Sequence, residues 1–150
     1  GQKDFQQLAV IRKMAHELCM PVQIMGEPTV RAANGLALSS RNGYLSEEQL
    51  ASAPQLYKTL QQIAAALQSG RRDFASVIED ARMQLAAAGL QPDYLDLRDA
   101  HSLQPVNHHS EEVVALAAAY LGKTRRFARG GETLTAALLS TSFPVTQLLR

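Results

Sequence analysis

Apolar residues recur along the chain with two periods, and the breaks between them fall at Pro, Gly and Ser clusters. Leu8, Ile11, Ala15 and Leu18 stand three or four apart behind Asp4-Phe5-Gln6-Gln7, a D-x-x-Q start signal, which predicts a helix over about 4–19 stopped by Pro21. Val22-Gln23-Ile24-Met25 alternates and is bounded by Gly26, as a short strand would be. Thr29-Val30-Arg31 extends beyond Pro28, Asn34-Gly35 marks a turn, and Leu36 to Leu38 is a short apolar segment. Ser46-Glu47-Glu48-Gln49 is a capping box, and Pro54, which would cost ~3 kcal/mol inside a helix, divides the surrounding apolar pattern into helices near 46–52 and 54–68.

Leu56, Leu60, Ile63 and Leu67 share one face of the longer helix, which Gly70 ends. Asp73 is expected to cap a further helix that carries Phe74, Val77, Ile78, Ala81 and Leu85 on one face and stops at Gly89. From Pro92 to Asp99 the period changes to two, with Leu95 and Leu97 on one side and Tyr94, Asp96 and Arg98 on the other, the pattern of a half-buried strand. Glu112 to Leu121 fits two states: four alanines favour helix, while its length and the Gly122 that closes it suit a buried strand. No internal repeat is visible.

Composition narrows the class. With 46% hydrophobic and 19% charged residues over 150 positions, the chain has about one domain's worth of core-forming material. The longest apolar run, Val113 to Leu121, is nine residues, against the ~20 needed to span a bilayer. No secretory or transit segment opens the chain, so a cytoplasmic protein without membrane association is expected. The single Cys19 forms no internal disulfide and is expected as a small buried hydrophobe on the first helix. The four histidines, including the pair His108-His109, lack the Cys or carboxylate spacing of a metal site and read as loop residues, so no protein-held metal is expected. Charge is uneven: residues 1–122 carry 10 Lys+Arg against 13 Asp+Glu, net −3, and residues 123–150 carry 5 against 1, net +4. A basic end with Phe127 among Arg125, Arg126 and Arg129 admits a noncatalytic helical module that binds nucleic acid or a protein partner.

Two stretches carry other chemistry. Leu36-Ala37-Leu38-Ser39-Ser40-Arg41-Asn42 sets two hydroxyls and a guanidinium after an apolar run, which suits either a plain turn or a set of converging donors for phosphate oxygens. Gly1-Gln2-Lys3-Asp4-Phe5-Gln6-Gln7 gathers a cation, a carboxylate and carboxamides at a helix N-terminus, where unpaired amides already favour anions. Lys3 would act as a mobile point charge and Arg41 as a two-pronged grip. Asp4 fits equally as an ordinary cap.

Together with Pro28-Thr29-Val30-Arg31, these blocks resemble the pantothenate synthetase (pantoate–β-alanine ligase) family in order and spacing. The likeness continues through Gly43-Tyr44-Leu45, Ala53-Pro54-Gln55-Leu56-Tyr57, Asp93-Tyr94-Leu95-Asp96-Leu97-Arg98-Asp99 and Leu121-Gly122, covering roughly residues 1–125. The resemblance implies an ATP-dependent ligase that condenses pantoate with β-alanine through a pantoyl adenylate, releasing pyrophosphate and then AMP. It implies that Ser39, Ser40 and Arg41 are the counterpart of the Lys-Met-Ser-Lys-Ser loop of nucleotidylyl transferases and, with Lys3, hold the ATP phosphates as the catalytic groups. Gly1 and Asp4 would face the ribose, with Gln2 beside them; Val30 and Leu38 would meet the adenine, and Gln7 the pantoate. Mg2+ would arrive on the nucleotide, held mainly by phosphate and water.

The resemblance also implies an α+β chain that is the carboxy-terminal portion of a two-domain enzyme. Residues 1–42 would end a Rossmann-like ATP- and pantoate-binding domain, and residues 43–125 would form a lid of helices on a small antiparallel sheet, which favours strand over 112–121. The family's amino-terminal half, with its His-x-Gly-His motif, is absent, so this portion alone is expected to be inactive, while the full-length parent would be a homodimer. Gln2 stands where the family usually has Glu, and Glu27 occupies a commonly apolar position. From Arg126 to Arg150 the sequence leaves the family pattern; Leu134, Leu138 and Leu139 admit a short helix there, and disorder is the alternative.

Overall fold

The computed structural model describes residues 1–110, 112–121 and the backbone of 143–144. In chain order these form a 3-10 turn (Gln2–Asp4), α1 (Phe5–Glu17), a second 3-10 turn (Ser40–Tyr44), α2 (Glu47–Ser52), α3 (Pro54–Gln68), α4 (Phe74–Ala87), β1 (Leu90–Asp99), β2 (Glu112–Leu121) and the two-residue β3 (Phe143–Pro144). The three strands make one sheet in the order β1-β2-β3. The β1/β2 ladder is antiparallel from Leu90 opposite Leu121 to Asp99 opposite Val113, with a register shift between Pro92 and Tyr94. Pro92 cannot donate to a ladder; on an outer strand of the sheet and beside an irregularity it breaks no essential pairing.

Helices α3 and α4 cover one face of this sheet. Their expected apolar stripes are buried: Leu56, Leu60, Ile63 and Leu67 from α3, and Val77, Ala81 and Leu85 from α4, with Phe74 and Ile78 packed at the margin. They meet Leu95 and Leu97 of β1 and Val113, Ala115, Ala117 and Ala119 of β2. The residues that left helix and strand open for 112–121 thus belong to a strand buried on both faces. Val114 and Leu116 point away from the helices and pack with Phe5, Tyr94, Ala100 and Leu103. Alanine suits this strand because its small side chains let the helices sit close to the backbone, and packing overrides its weak local preference for helix.

Termination obeys several of the expected signals. Pro54 occupies the first turn of α3, where its missing N–H breaks no bond. The Ser46/Gln49 capping box forms in both directions, with Ser46 Oγ accepting from the Gln49 amide at 3.2 Å and Gln49 Oε1 from the Ser46 amide at 2.9 Å. Gly70 and Gly89 close α3 and α4 at φ 97° and 77°, values that favour glycine.

Four local expectations are corrected. Helix α1 ends at Glu17, before Pro21: the Cys19 amide donates to His16 O and the Met20 amide to Ala15 O, a Schellman closure with Cys19 in the left-handed region at φ 48°. Cys19 is therefore exposed in the turn and not buried on the helix. Val22 to Met25 forms no strand, because a strand needs a ladder partner and these residues have none among those described. Asp4 and Asp73 stand at the N-cap positions of α1 and α4, but neither side chain makes a capping hydrogen bond. The Asp73 carboxylate instead receives Arg71 Nε at 3.1 Å and Arg71 Nη2 at 2.9 Å.

Of the expectations for residues 126–150, the short helix at Leu134, Leu138 and Leu139 lies outside the described residues. The pairing of Phe143–Pro144 with Glu112 and Val113 lies within them.

Candidate functional site

The serine-containing stretch begins with a small hairpin. Arg31 and Ala37 form an isolated antiparallel bridge, the Leu38 amide donates to Val30 O at 2.9 Å, and the Ala32 amide donates to Leu36 O at 2.8 Å. Asn34-Gly35 makes its turn as the dipeptide suggests: the Gly35 amide donates to Ala32 O, Asn34 Oδ1 accepts from the Leu36 amide, and Gly35 sits at φ 92°. Val30 and Leu38, the expected adenine contacts, are adjacent and exposed, 68% and 56%. Between them and the helical layer, Leu36 and Ala37 are buried, and Leu36 joins the core of α3, α4 and the sheet.

Ser39, Ser40 and Arg41 come next as one tight unit. Ser39 Oγ accepts from the Arg41 amide at 3.3 Å, which uses the oxygen as an acceptor and leaves the hydroxyl able to donate. The Asn42 amide donates to Ser39 O at 3.1 Å, and its side-chain Nδ2 donates back to Ala37 O at 2.9 Å. The turn therefore presents two hydroxyls and a guanidinium from four residues of backbone held at both ends. Arg41 and Ser40 are exposed, and Ser39 is half-buried.

Lys3, Asp4 and Gln7 gather at the other end of the expected site, at the entry to α1. The Gln2 amide donates to Glu27 O at 2.7 Å, and Gln2 Nε2 donates to Gly26 O at 3.2 Å, so Gln2 ties the entry turn to the loop before Pro28. Gly1 lies by the same loop: a Cβ added there would meet Glu27 O at 3.6 Å. A Cβ at Gly26 would meet Leu8 Cδ2 at 2.6 Å, so a side chain there would have to push Leu8 aside. Phe5 packs against the outer face of β2, and the Asp4 charge reaches Tyr94. The Tyr94 hydroxyl is raised above its ordinary range by burial first and then by Asp93, Asp4 and Asp96. Lys3 is half-buried, and Asp4 and Gln7 are exposed. The structure thus gathers the expected residues into two groups: one at the α1 entry, the other on the hairpin and its serine turn.

Two side chains that received no role from the sequence stand behind the serine turn. The Arg31 guanidinium lies over the Tyr57 ring of α3 at 3.8 Å from its centroid, and Arg31 Nη1 donates to Gly35 O at 3.1 Å. Burial there holds the Arg31 guanidinium below its ordinary value, opposed by the interaction with Tyr57. Gly35 makes this approach possible, because a Cβ would come within 2.7 Å of Tyr57 Cδ1. The pair is 26 positions apart in the chain, a distance at which neither helical nor strand periodicity signals a contact.

Elsewhere, His101 Nε2 lies 3.4 Å from Glu112 Oε2, and the His108 ring stands 6.3 Å from that of Phe74. Among the described residues no helix is long and apolar enough to cross a membrane.

A model of the Pantoate-beta-alanine ligase family matches residues 1–127. A pantothenate synthetase of Stutzerimonas stutzeri is 65% identical over 125 residues, covering 83% of this chain and 44% of that protein. One of Pseudomonas fluorescens is 61% identical with the same coverage. The chain therefore spans less than half the length of these relatives. Among solved structures, pantothenate synthetase from Thermus thermophilus superimposes with a TM-score of 0.74 at 36% identity, over 81% of this chain and 44% of that one. The pantoate-beta-alanine ligase of Francisella tularensis, described as complexed with beta-gamma ATP and beta-alanine, gives a TM-score of 0.56 at 23% identity, over 97% of this chain and 42% of that one, a likeness of fold alone. By the extent of the family match and the agreement of the fold, this chain belongs to the Pantoate-beta-alanine ligase family.

Proposed function

We propose that this chain is the carboxy-terminal portion of a ligase that joins pantoate to β-alanine at the expense of ATP. The observation that carries this reading is the tight turn that sets Ser39, Ser40 and Arg41 directly after the exposed apolar pair Val30 and Leu38, with Ser40 and Arg41 exposed. An adenine ring needs an apolar rest, and a triphosphate needs several fixed donors; the hairpin offers both within a few residues.

In the first step a pantoate carboxylate oxygen attacks the α-phosphorus, the bond to the β-phosphate oxygen breaks, and pyrophosphate leaves. In the second, the neutral β-alanine amine attacks the acyl carbon, the acyl C–O bond breaks, AMP departs with the bonding pair and the surplus proton on nitrogen passes to solvent. Neither step requires a nucleophile from the protein. The protein's contribution is alignment of the carboxylate with phosphorus and neutralisation of the charge that moves onto pyrophosphate, work suited to Ser39, Ser40, Arg41 and Lys3. Gly1, Gln2 and Asp4 then lie towards the ribose and Gln7 towards pantoate. Mg2+ comes with the nucleotide. Among the described residues no group of three or more His, Cys, Asp or Glu side chains is arranged to hold a metal, so no step is assigned to a protein-held ion.

Residues 1–42 on this reading finish a Rossmann-like domain whose remainder lies in the other part of the parent, and 43–125 form its lid. The exposed Val10, Met14, Leu18, Val22 and Met25 support this division: they are apolar positions without cover among the described residues, on and after α1. The parent is a cytoplasmic homodimer acting on ATP, pantoate and β-alanine, with no role for nucleic acid or membrane.

The test is pyrophosphate release and pantothenate formation by the complete protein carrying this segment. Turnover that depends on all three substrates is expected, and Arg41→Ala or Lys3→Ala should lower kcat/KM by about 100-fold or more, as loss of a charge-stabilising group does. The 150-residue chain alone should form no pantothenate, since alignment needs groups on both sides of the substrate. Full activity in the Arg41→Ala protein, or turnover by the chain alone, would overturn the reading.

A further inference from the structure

We propose that Arg31 and Tyr57 are a positioning pair that fixes the Ser39–Arg41 turn to helix α3. The geometry stands independently of the ligase reading; its consequence for ATP rests on that reading.

Three observations converge on the same joint. The Arg31 guanidinium stacks on the Tyr57 ring at 3.8 Å and simultaneously donates to Gly35 O at 3.1 Å, so one side chain holds both the helix and the far side of the hairpin turn. Gly35 presses its backbone against the same ring, at a distance where even a methyl group would collide. Leu36, next in sequence, enters the core shared by Leu56 and Leu60 of α3. The hairpin is thereby clamped to α3 by a stacked cation, a backbone contact and a buried leucine. The Arg31–Ala37 bridge and the Asn42-to-Ala37 hydrogen bond then transmit that anchorage to both ends of the serine turn.

The bridge is a single pair supported by a few turn hydrogen bonds, and a two-stranded hairpin of this size is marginal alone, so its attachment to α3 rests on this clamp. The consequence is mechanical. The serine turn is thereby held against the helical layer, and the groups proposed to grip the nucleotide phosphates are fixed in place by α3. Arg31 and Tyr57 do not touch substrate; they act through the turn.

The experiment uses the 150-residue chain and two readouts. Hydrogen exchange at the Ala32, Leu38 and Asn42 amides, the donors of the hairpin and turn, reports the clamp without any ligand. Tyr57→Leu keeps bulk but removes the aromatic face, and Arg31→Gln removes the cation; each should speed exchange at these amides by about tenfold, while amides of α4 and β2 stay within about twofold. Tyr57→Phe keeps the stack and should restore protection, which a general packing role for residue 57 would not require of the cation partner. Arg31→Gln decides the matter should the half-buried Tyr57→Leu fail to fold.

The second readout is titration with ATP, monitored by amide shifts. The apparent Kd read at Ser39–Arg41 should rise in Tyr57→Leu and Arg31→Gln. Unchanged exchange in Arg31→Gln, or a Tyr57→Phe protein as open as Tyr57→Leu, overturns the pair. If exchange responds as expected while ATP shifts no amide in the wild-type chain, the clamp stands and the nucleotide reading falls, so the two failures are told apart.

Discussion

Helix α3 buries Leu56, Leu60, Ile63 and Leu67, its whole apolar stripe, whereas α1 buries only Leu8 and Ala15 and leaves Ile11 and Met14 37% and 45% exposed. In the sequence the two helices carry the same kind of repeat. They differ in what the chain can bring against them. Helix α3 meets α4 and β2, elements that come after it and fold back locally. Helix α1 has the entry turn, the loop at Gly26, the Arg12 contact to Ile24 O and the outer face of the sheet through Phe5, and its remaining apolar positions stay exposed among the described residues. The Val22–Met25 segment repeats the lesson for strands: its alternation is right, but the ladder that would make it a strand has no second edge among the described residues. Periodicity states what an element needs to bury; only a neighbour of the right shape satisfies it.

The largest expected effect breaks the better-covered side of this contrast. Leu85 is 0% exposed between α4 and the sheet, and Leu85→Ala should destabilise the chain by about 2–5 kcal/mol, through lost transfer energy and a residual cavity. Met14→Ala, removing a side chain of similar size from α1, should change stability by less than about 0.5 kcal/mol. Urea denaturation of both variants checks the pair; equal losses would mean that α1 is packed as tightly as α4. Next in size, Ala117→Leu adds bulk where β2 meets the helices and should cost about 1–3 kcal/mol by overpacking, visible as a lower urea midpoint. A neutral result would show that the helix-to-sheet spacing is not set by the alanines.

Loss of the capping box sharpens the boundary between the two regions, since Ser46 begins the helical layer just after the serine turn. Ser46→Ala should cost about 1 kcal/mol, and its effect on exchange should centre on α2, with Gln49 also donating to Leu121 O at the end of β2.

The smallest effect is on pH. Arg71 holds the Asp73 carboxyl down from 3.8 to about 2, and the Ser102 backbone and side chain with the His101 amide hold Asp99 below its ordinary value. For a carboxyl whose folded pKa is depressed, the stabilisation is complete above the unfolded pKa and is lost as pH falls through the folded value. Stability of the helical layer should therefore fall between about pH 4 and pH 2. Because Asp73 is exposed and Asp99 only half-buried, the slope should be shallow and weakened further by salt. Denaturation midpoints across that range check it; Asp73→Asn should flatten part of the fall, and an unaltered slope would exclude the Arg71–Asp73 pair as a contributor.

Much of this protein was determined by local sequence. The Ser46/Gln49 box, Pro54 at the first turn of α3, and glycines 70 and 89 at positive φ act within a few residues, and the energies involved are those of single caps and single backbone conformations. The turn at Ser39–Arg41 was legible for the same reason, since it needs only consecutive residues and one tight loop. Tertiary structure decided the rest. It made a strand of the alanine-rich 112–121, because burial on both faces outweighs a weak helical preference. It turned Asp73 from a cap into an ion-pair partner, because Arg71 offers two donors in fixed geometry. It exposed Cys19 by closing α1 early, and it set Arg31 upon Tyr57 across 26 positions. Contacts of that last kind depend on where two elements pack, a balance of many small interactions that no short window of sequence contains.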